Sequence, residues 1–275
     1  MNQTEFQWIQ GFKCYAPELA ISNEDFPIEG FEILFQKEEQ NFWFQSRNQV
    51  ILSLFTKYTA IKNATFLEIG CGTGFVLRAI GQSGNHRVSG AEIHVEGLKF
   101  ARIRLPEVEL IQLDATRMPF ENTYDAIGAF DVLEHINEDE QVMKEVNKAL
   151  KPGGHFYITV PQYPWMWSYL DDLAYHKRRY TRKELKQKLV DAGFEVAYIG
   201  SFVFSLFPAM VASRLLKKDK AGNQNHQADI ASEFNIPDWL NSLFRSLLRI
   251  DEWLIAQGIS LPFGGSLVAV GKKKI

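Results

Sequence analysis

The sequence predicts an α/β protein: a seven-stranded, mostly parallel sheet with helices on both faces. Three observations carry this. Short apolar runs alternate with segments of helical apolar spacing from Thr65 to Ile199, the rhythm of successive βαβ units. The first run ends in closely spaced glycines, Gly70, Gly72 and Gly74, which open a helix. The chain has 275 residues, 46% of them hydrophobic, enough for one sizeable core and too apolar for a mostly disordered chain.

In order, Met1 to Gly30 has no clean period and is expected to be irregular. Phe31 to Tyr58 carries apolar residues at helical spacing, one or two helices leading into the main domain. Strands are expected at Thr65 to Ile69, Arg87 to Ile93, Val108 to Leu113, Tyr124 to Ala129 and His155 to Val160. Helices are expected at Phe75 to Ile80, Val95 to Arg104 and Glu138 to Leu150, the last stopped by a turn at Pro152-Gly153-Gly154. Thr181 with Glu184 is a capping-box pattern opening a helix that Gly193 ends, and Phe194 to Ile199 resumes as strand. Phe202 to Leu216 and Trp239 to Ala256 are helical, joined by a polar linker from Lys217 to Ser232, before a last strand at Ser266 to Val270. The expected division is a lead-in at 1–61, a core at 62–201, a helical insertion at 202–262 and the last strand with a basic tail at 263–275.

Thirty Lys and Arg against 33 Asp and Glu give a net charge of -3, so no basic field exists to hold nucleic acid. Two distant cysteines make no disulfide framework and point to a reducing compartment. Met1 to Gln10 lacks a leader pattern, and no apolar run is long enough to span a membrane, which predicts a cytoplasmic location.

The glycine loop reads Glu68-Ile69-Gly70-Cys71-Gly72-Thr73-Gly74. It has neither the dinucleotide spacing G-x-G-x-x-G nor a P-loop ending. Glu68 is unwelcome beside a pyrophosphate and favourable beside a cationic ligand. Together with Glu92 ending the second strand, Leu113-Asp114-Ala115 after the third, Phe130-Asp131-Val132-Leu133-Glu134-His135 after the fourth and Leu150-Lys151-Pro152-Gly153-Gly154, this loop resembles that of the class I S-adenosylmethionine-dependent methyltransferases. The resemblance covers Phe66 to Ile199 and the last strand. It implies a Rossmann-like fold with S-adenosylmethionine as cofactor and S-adenosylhomocysteine as product. It places Glu68, Gly70, Cys71, Gly72 and Gly74 at the cofactor, Glu92 on the ribose hydroxyls, Asp114 and Ala115 at the adenine, and Phe130 as an apolar wall. Asn41 to Arg47 is similar to the family's lead-in helix, with Trp43 covering the cofactor and Arg47 pairing its carboxylate.

The expected reaction is methyl transfer to a small-molecule, glycan or lipid-linked acceptor, with a hydroxyl preferred. His135, Glu134 and His176 are the candidate proton-handling groups, since imidazole titrates near neutrality. Arg178 or Arg179 is a candidate anion binder. No metal is required, although Asp131, Glu134, His135 and His176 form one oxygen and nitrogen set that could take a divalent ion. The alternatives are a cofactor-binding partner subunit without its own activity and an NAD-dependent oxidoreductase. The insertion at 202–262 is expected over the acceptor side, with peripheral membrane contact as an extension. The sequence leaves the oligomeric state open.

Overall fold

The computed structural model describes residues 6–21, 26–28, 30–216 and 235–275; the expected polar linker, Lys217 to Ser232, lies outside the described residues. The elements along the chain are β1 (Gln7–Ile9), β2 (Phe12–Cys14), α1 (Gly30–Lys37), α2 (Phe42–Tyr58), β3 (Thr65–Ile69), α3 (Phe75–Gln82), β4 (Arg87–Glu92), α4 (Val95–Arg104) and β5 (Glu109–Gln112). There follow β6 (Tyr124–Phe130), α5 (Asp139–Ala149), β7 (Leu150–Pro161), α6 (Tyr169–Leu173), α7 (Arg182–Asp191), β8 (Phe194–Phe202), α8 (Phe207–Leu216), a helix α9 (Asp238–Ala256) and β9 (Ser266–Lys273).

The sheet has nine strands in the order β1-β2-β5-β4-β3-β6-β7-β9-β8, which corrects the expected count of seven. The seven expected strands form a contiguous unit within it, and β9 runs antiparallel to both β7 and β8. The two additional strands belong to the stretch read as irregular. They form an antiparallel hairpin whose β2 pairs in parallel with β5, Lys13 against Ile111 and Cys14 against Gln112. Three-residue strands show no period of their own. Pairing with β5 holds them, and the backbone N–H of Tyr15 extends the ladder to the Gln112 carbonyl at 2.9 Å.

Both sheet faces are covered. One core joins Phe44, Val50, Leu54 and Phe55 of α2 to α3, α4 and Leu248 and Ile255 of α9. The other joins Val142, Met143 and Val146 of α5 to Leu185 and Leu189 of α7. Asn41 caps α2 by accepting from the Trp43 N–H at 2.9 Å, and α7 carries the expected Thr181–Glu184 capping box. Two boundaries differ from expectation. Pro152-Gly153-Gly154 lies inside β7, where the register shifts between Tyr124 and Ala126 of the neighbouring strand, so the turn is a bulge. The strand β8 continues through Phe202, and α8 begins only at Phe207, because Ser201 and Phe202 keep pairing with Leu267 and Ser266.

Candidate functional site

At the carboxyl ends of the central strands a pocket of about 450 Å³ opens beside the glycine loop. Gly70, Gly72 and Gly74 all have positive φ, +62°, +49° and +77°. A Cβ on Gly70 would fall 2.4 Å from Val132 Cγ2, whereas one on Gly72 would meet only Phe31 at 3.8 Å. Gly70 is thus fixed by packing, and Gly72 leaves bare backbone facing the pocket. Trp43, Arg47, Glu68, Gly70, Cys71, Gly72, Glu92, Asp114, Ala115 and Phe130 all line this pocket. Gly74, the N-cap of α3, is not among the lining residues.

The carboxylates have definite partners. The side chain of Glu92 accepts from the Gly72 N–H at 3.0 Å and from the Ile93 and His94 N–H groups at 2.8 and 3.2 Å, which ties the second strand to the loop. Asp114 accepts from Thr116 N–H and Oγ1 at 2.9 and 2.7 Å and from Arg117 Nε at 2.9 Å, an Asx-turn that still borders the pocket. Glu68 is buried, and burial pushes its carboxyl well above the usual range against the opposing charge of Arg47. Burial likewise pushes the Cys71 thiol up, helped by the Glu92 and Glu68 charges, so Cys71 is no nucleophile.

The lead-in helices close one side. Arg47 lies 4.7 Å from the Trp43 ring centroid and is paired with Asp131, which also accepts from Thr159 Oγ1 at 3.1 Å. Asp131, expected as a possible metal ligand, is held by these two groups. A second tie escaped the sequence reading. Glu38, just past α1, accepts from Thr73 Oγ1 at 2.5 Å and from Arg104 Nη1 at 2.6 Å, while Arg104 Nη2 donates to the Phe35 carbonyl at 3.0 Å. The lead-in is thereby bonded to the glycine loop and to α4.

Beyond β6, Glu134, His135 and His176 come together. The two imidazoles are edge to face with centroids 4.8 Å apart, and one ligating atom from each of the three groups lies within 4.8 Å of the others. Burial, with the nearby Asp131 charge, raises the Glu134 carboxyl well above the usual range. The sequence reading missed the partner of His176. Asp171 Oδ1 lies 2.9 Å from His176 Nδ1 and accepts from Arg179 Nε at 2.7 Å; Oδ2 accepts from Arg179 Nη2 at 3.0 Å and from Ser168 N–H at 2.8 Å. Burial alone would raise this carboxyl, but the hydrogen bonds and charges of His176 and Arg179 outweigh it and hold it at about 2. Ser168-x-x-Asp171 is a capping-box pattern, and that signal could have flagged Asp171. Arg178 and Arg179, candidates for anion binding, are instead paired with Asp139 and Asp171.

His176 borders two spaces: the pocket by the glycine loop and an adjoining cavity of about 600 Å³ walled by α2, α8 and α9. Among the described residues, no helix is long and apolar enough to cross a membrane.

Residues 67–158 match the model of a family described as a methyltransferase domain. The chain is 28% identical over 173 residues to a "probable S-adenosylmethionine-dependent methyltransferase" of Mycolicibacterium smegmatis, covering 62% of this chain and 66% of that protein. It is 25% identical over 118 residues to a ubiquinone biosynthesis O-methyltransferase of Hydrogenovibrio crunogenus, covering 41% and 48%. The chain thus spans about half to two thirds of the length of these curated relatives. Among solved structures it is similar in fold to a chain of the complex between the Haloferax volcanii Trm112 methyltransferase activator and a methyltransferase. The TM-score is 0.59 at 19% identity, covering 91% of this chain and 99% of that one.

Proposed function

The chain belongs to the class I S-adenosylmethionine-dependent methyltransferase family, and from that premise we propose that it methylates a hydroxyl on a small-molecule, glycan or lipid-linked acceptor. The pocket fits the family's cofactor: bare Gly72 backbone, Glu92 at the end of the second strand and Asp114 past the third surround one cavity of about 450 Å³. S-adenosylmethionine supplies an electrophilic methyl on a sulfonium that is already a good leaving group. What the protein must add is alignment, exclusion of water and a place for the acceptor's proton.

The His176–Asp171 pair carries the hydroxyl reading. An ionised Asp171 can only accept, so in the neutral imidazole of His176 Nδ1 carries the hydrogen and Nε2 the lone pair. His176 borders both the cofactor pocket and the adjoining cavity, where an acceptor would meet it. Nε2 would take the acceptor hydroxyl's proton during methyl transfer. Asp171 keeps the imidazole in that tautomer and stabilises the resulting cation. The insertion, through α8 and α9, walls the acceptor side.

The test is S-adenosylhomocysteine release against a panel of hydroxyl, amine and carboxylate acceptors. His176→Gln should lower the rate on the responsive acceptor by roughly 10²–10⁴ with cofactor affinity unchanged. An undiminished rate refutes the base role. No turnover with any acceptor favours the partner-subunit alternative.

One observation favours a second reading. Glu134 is fully buried, and among the described residues neither of its carboxylate oxygens has a hydrogen-bond partner. With His135 and His176 it would offer one oxygen and two nitrogens to a divalent ion, which would acidify the acceptor hydroxyl in place of a base. Activity would then fall with a chelator and return with magnesium, manganese or zinc.

A further inference from the structure

The cavity of about 600 Å³ beside His176 is asymmetric in its chemistry. Where it meets the cofactor pocket it carries Asp131 and His176, with Glu134 beside them. Away from that end the walls are mostly apolar, Phe42, Leu170, Leu206, Met210, Ile236 and Phe244, with Arg214 at the far end of the α8 wall. Asp171, beside His176, is already paired with Arg179. Leu206, Ala209, Met210 and Ser213 line it at helical spacing, so it follows α8 for about two turns, roughly 10 Å at 1.5 Å per residue. Ala209 and Ser213 are exposed, so the cavity opens to the outside along that helix.

The neighbouring α9 carries a second anomaly. Its inner face packs on α2, where Asn241 accepts from the Phe42 N–H and Phe244 lies against Phe42. Its outer face carries large apolar side chains among polar ones. The exposed residues of α9 are Asp238, Trp239, Ser242, Leu243, Ser246, Arg249, Ile250 and Trp253. The tryptophans are 70% and 62% exposed, with Leu243 and Ile250 at 47% and 53%. Trp239, Leu243, Ile250 and Trp253 fall at helical spacing, and an apolar stripe of this kind is normally covered. This stripe offers on the order of 500 Å², short of the ~800 Å² per partner that a stable protein interface buries. It suits a lipid surface, where indole rings seat at the headgroup level and a helix lies in the interface plane.

We propose that the acceptor is an amphiphile, a hydroxyl-bearing head on a long apolar chain, which the enzyme takes from a lipid surface held against the outer face of α9. The head reaches His176, and the chain lies along α8 in the apolar part of the cavity. This rests on the methyltransferase reading for the reaction but not for the binding, which can be measured with no methyl transfer.

Two binding experiments on the full chain test it. In the first, radiolabelled dodecanol and butanol are compared in equilibrium dialysis. The wild type should bind dodecanol at least tenfold tighter, and Met210→Trp, which fills the cavity, should abolish that preference while S-adenosylhomocysteine affinity is retained. Equal affinity for both alcohols, or a preference that survives Met210→Trp, overturns the cavity assignment. In the second, the protein is sedimented with vesicles of phosphatidylcholine and phosphatidylglycerol. The wild type should pellet, and Trp239→Ser/Trp253→Ser should partition roughly tenfold less with an unchanged unfolding midpoint. Protein that stays in the supernatant, vesicle binding that survives the double substitution, or a concentration-dependent dimer lost in the double variant overturns the lipid surface. If both experiments succeed and no acceptor is methylated, the reaction is wrong and the binding site stands.

Discussion

Replacing Asp171 with asparagine keeps the size of the side chain but removes its charge and puts an N–H₂ where one oxygen accepted. In the wild type that carboxylate faces His176 Nδ1, two nitrogens of Arg179 and Ser168, all donors. Whichever way the amide turns, it sets a donor against a donor. Its carboxyl is lowered from 3.8 to about 2. At about 1.4 kcal/mol per unit, the fold favours the ionised form by roughly 2 kcal/mol. The variant also leaves the Arg179 guanidinium, 9% exposed, without its counter-charge. Breaking a buried pair from one side costs roughly 3–5 kcal/mol. Urea unfolding at pH 7 should therefore show Asp171→Asn less stable by about 2–5 kcal/mol. The sign follows from the lowered value: the contribution is whole above about pH 4 and is lost as pH falls towards 2. The gap between wild type and variant should narrow over that window. Methyl transfer should also fall by roughly 10²–10⁴, since the imidazole loses the partner that fixes its tautomer. Equal stability at pH 7, or a gap that does not change between pH 4 and 2, would refute the reasoning.

Glu92→Ala should weaken S-adenosylhomocysteine binding by roughly 1–3 kcal/mol in calorimetry, and an unchanged affinity would confine Glu92 to its bond with Gly72. Gly70→Ala should cost roughly 1–3 kcal/mol in urea unfolding, from the positive φ and the 2.4 Å approach to Val132; wild-type stability would contradict both arguments. Cys14 and Cys71, buried with raised thiols, should resist iodoacetamide at pH 7 in the native protein and both react after unfolding. Rapid native labelling would show the loop to be open. Burial raises the Glu68 carboxyl above its ordinary 4.5, so its contribution to stability is whole below 4.5 and is lost as pH rises above it. Glu68→Gln should therefore gain on the wild type from pH 4 to pH 8, and a pH-independent difference would mean that Glu68 is ionised.

The seven-strand core was legible because most of its strands are short apolar runs between helical segments, and neither signal needs distant information. Thr65–Ile69 and Val95–Arg104 have the boundaries their patterns predict. The glycine loop was legible for the same local reason. The β1–β2 hairpin was not, because a strand of three residues carries no alternation and owes its existence to Ile111 and Gln112, far along the chain. Arg47 and Asp131 could each be named as site residues, but they are 84 positions apart, and nothing in their spacing says that they pair. The expected turn at Gly153 became a bulge because β7 starts at Leu150 opposite Tyr124, a register set by the neighbouring strand.

The hairpin bears on how the protein behaves at high concentration. Without it, β5 would be the outermost strand and would offer its unpaired N–H and C=O groups to any passing chain. With it, the sheet ends on the three residues Gln7–Ile9, too short a template for strand addition. Removing the first 16 residues should expose β5 and increase self-association in sedimentation velocity; an unchanged association state would contradict the edge argument. The hairpin therefore guards the sheet edge beside the carboxyl end of β5, the same end at which Asp114 borders the pocket.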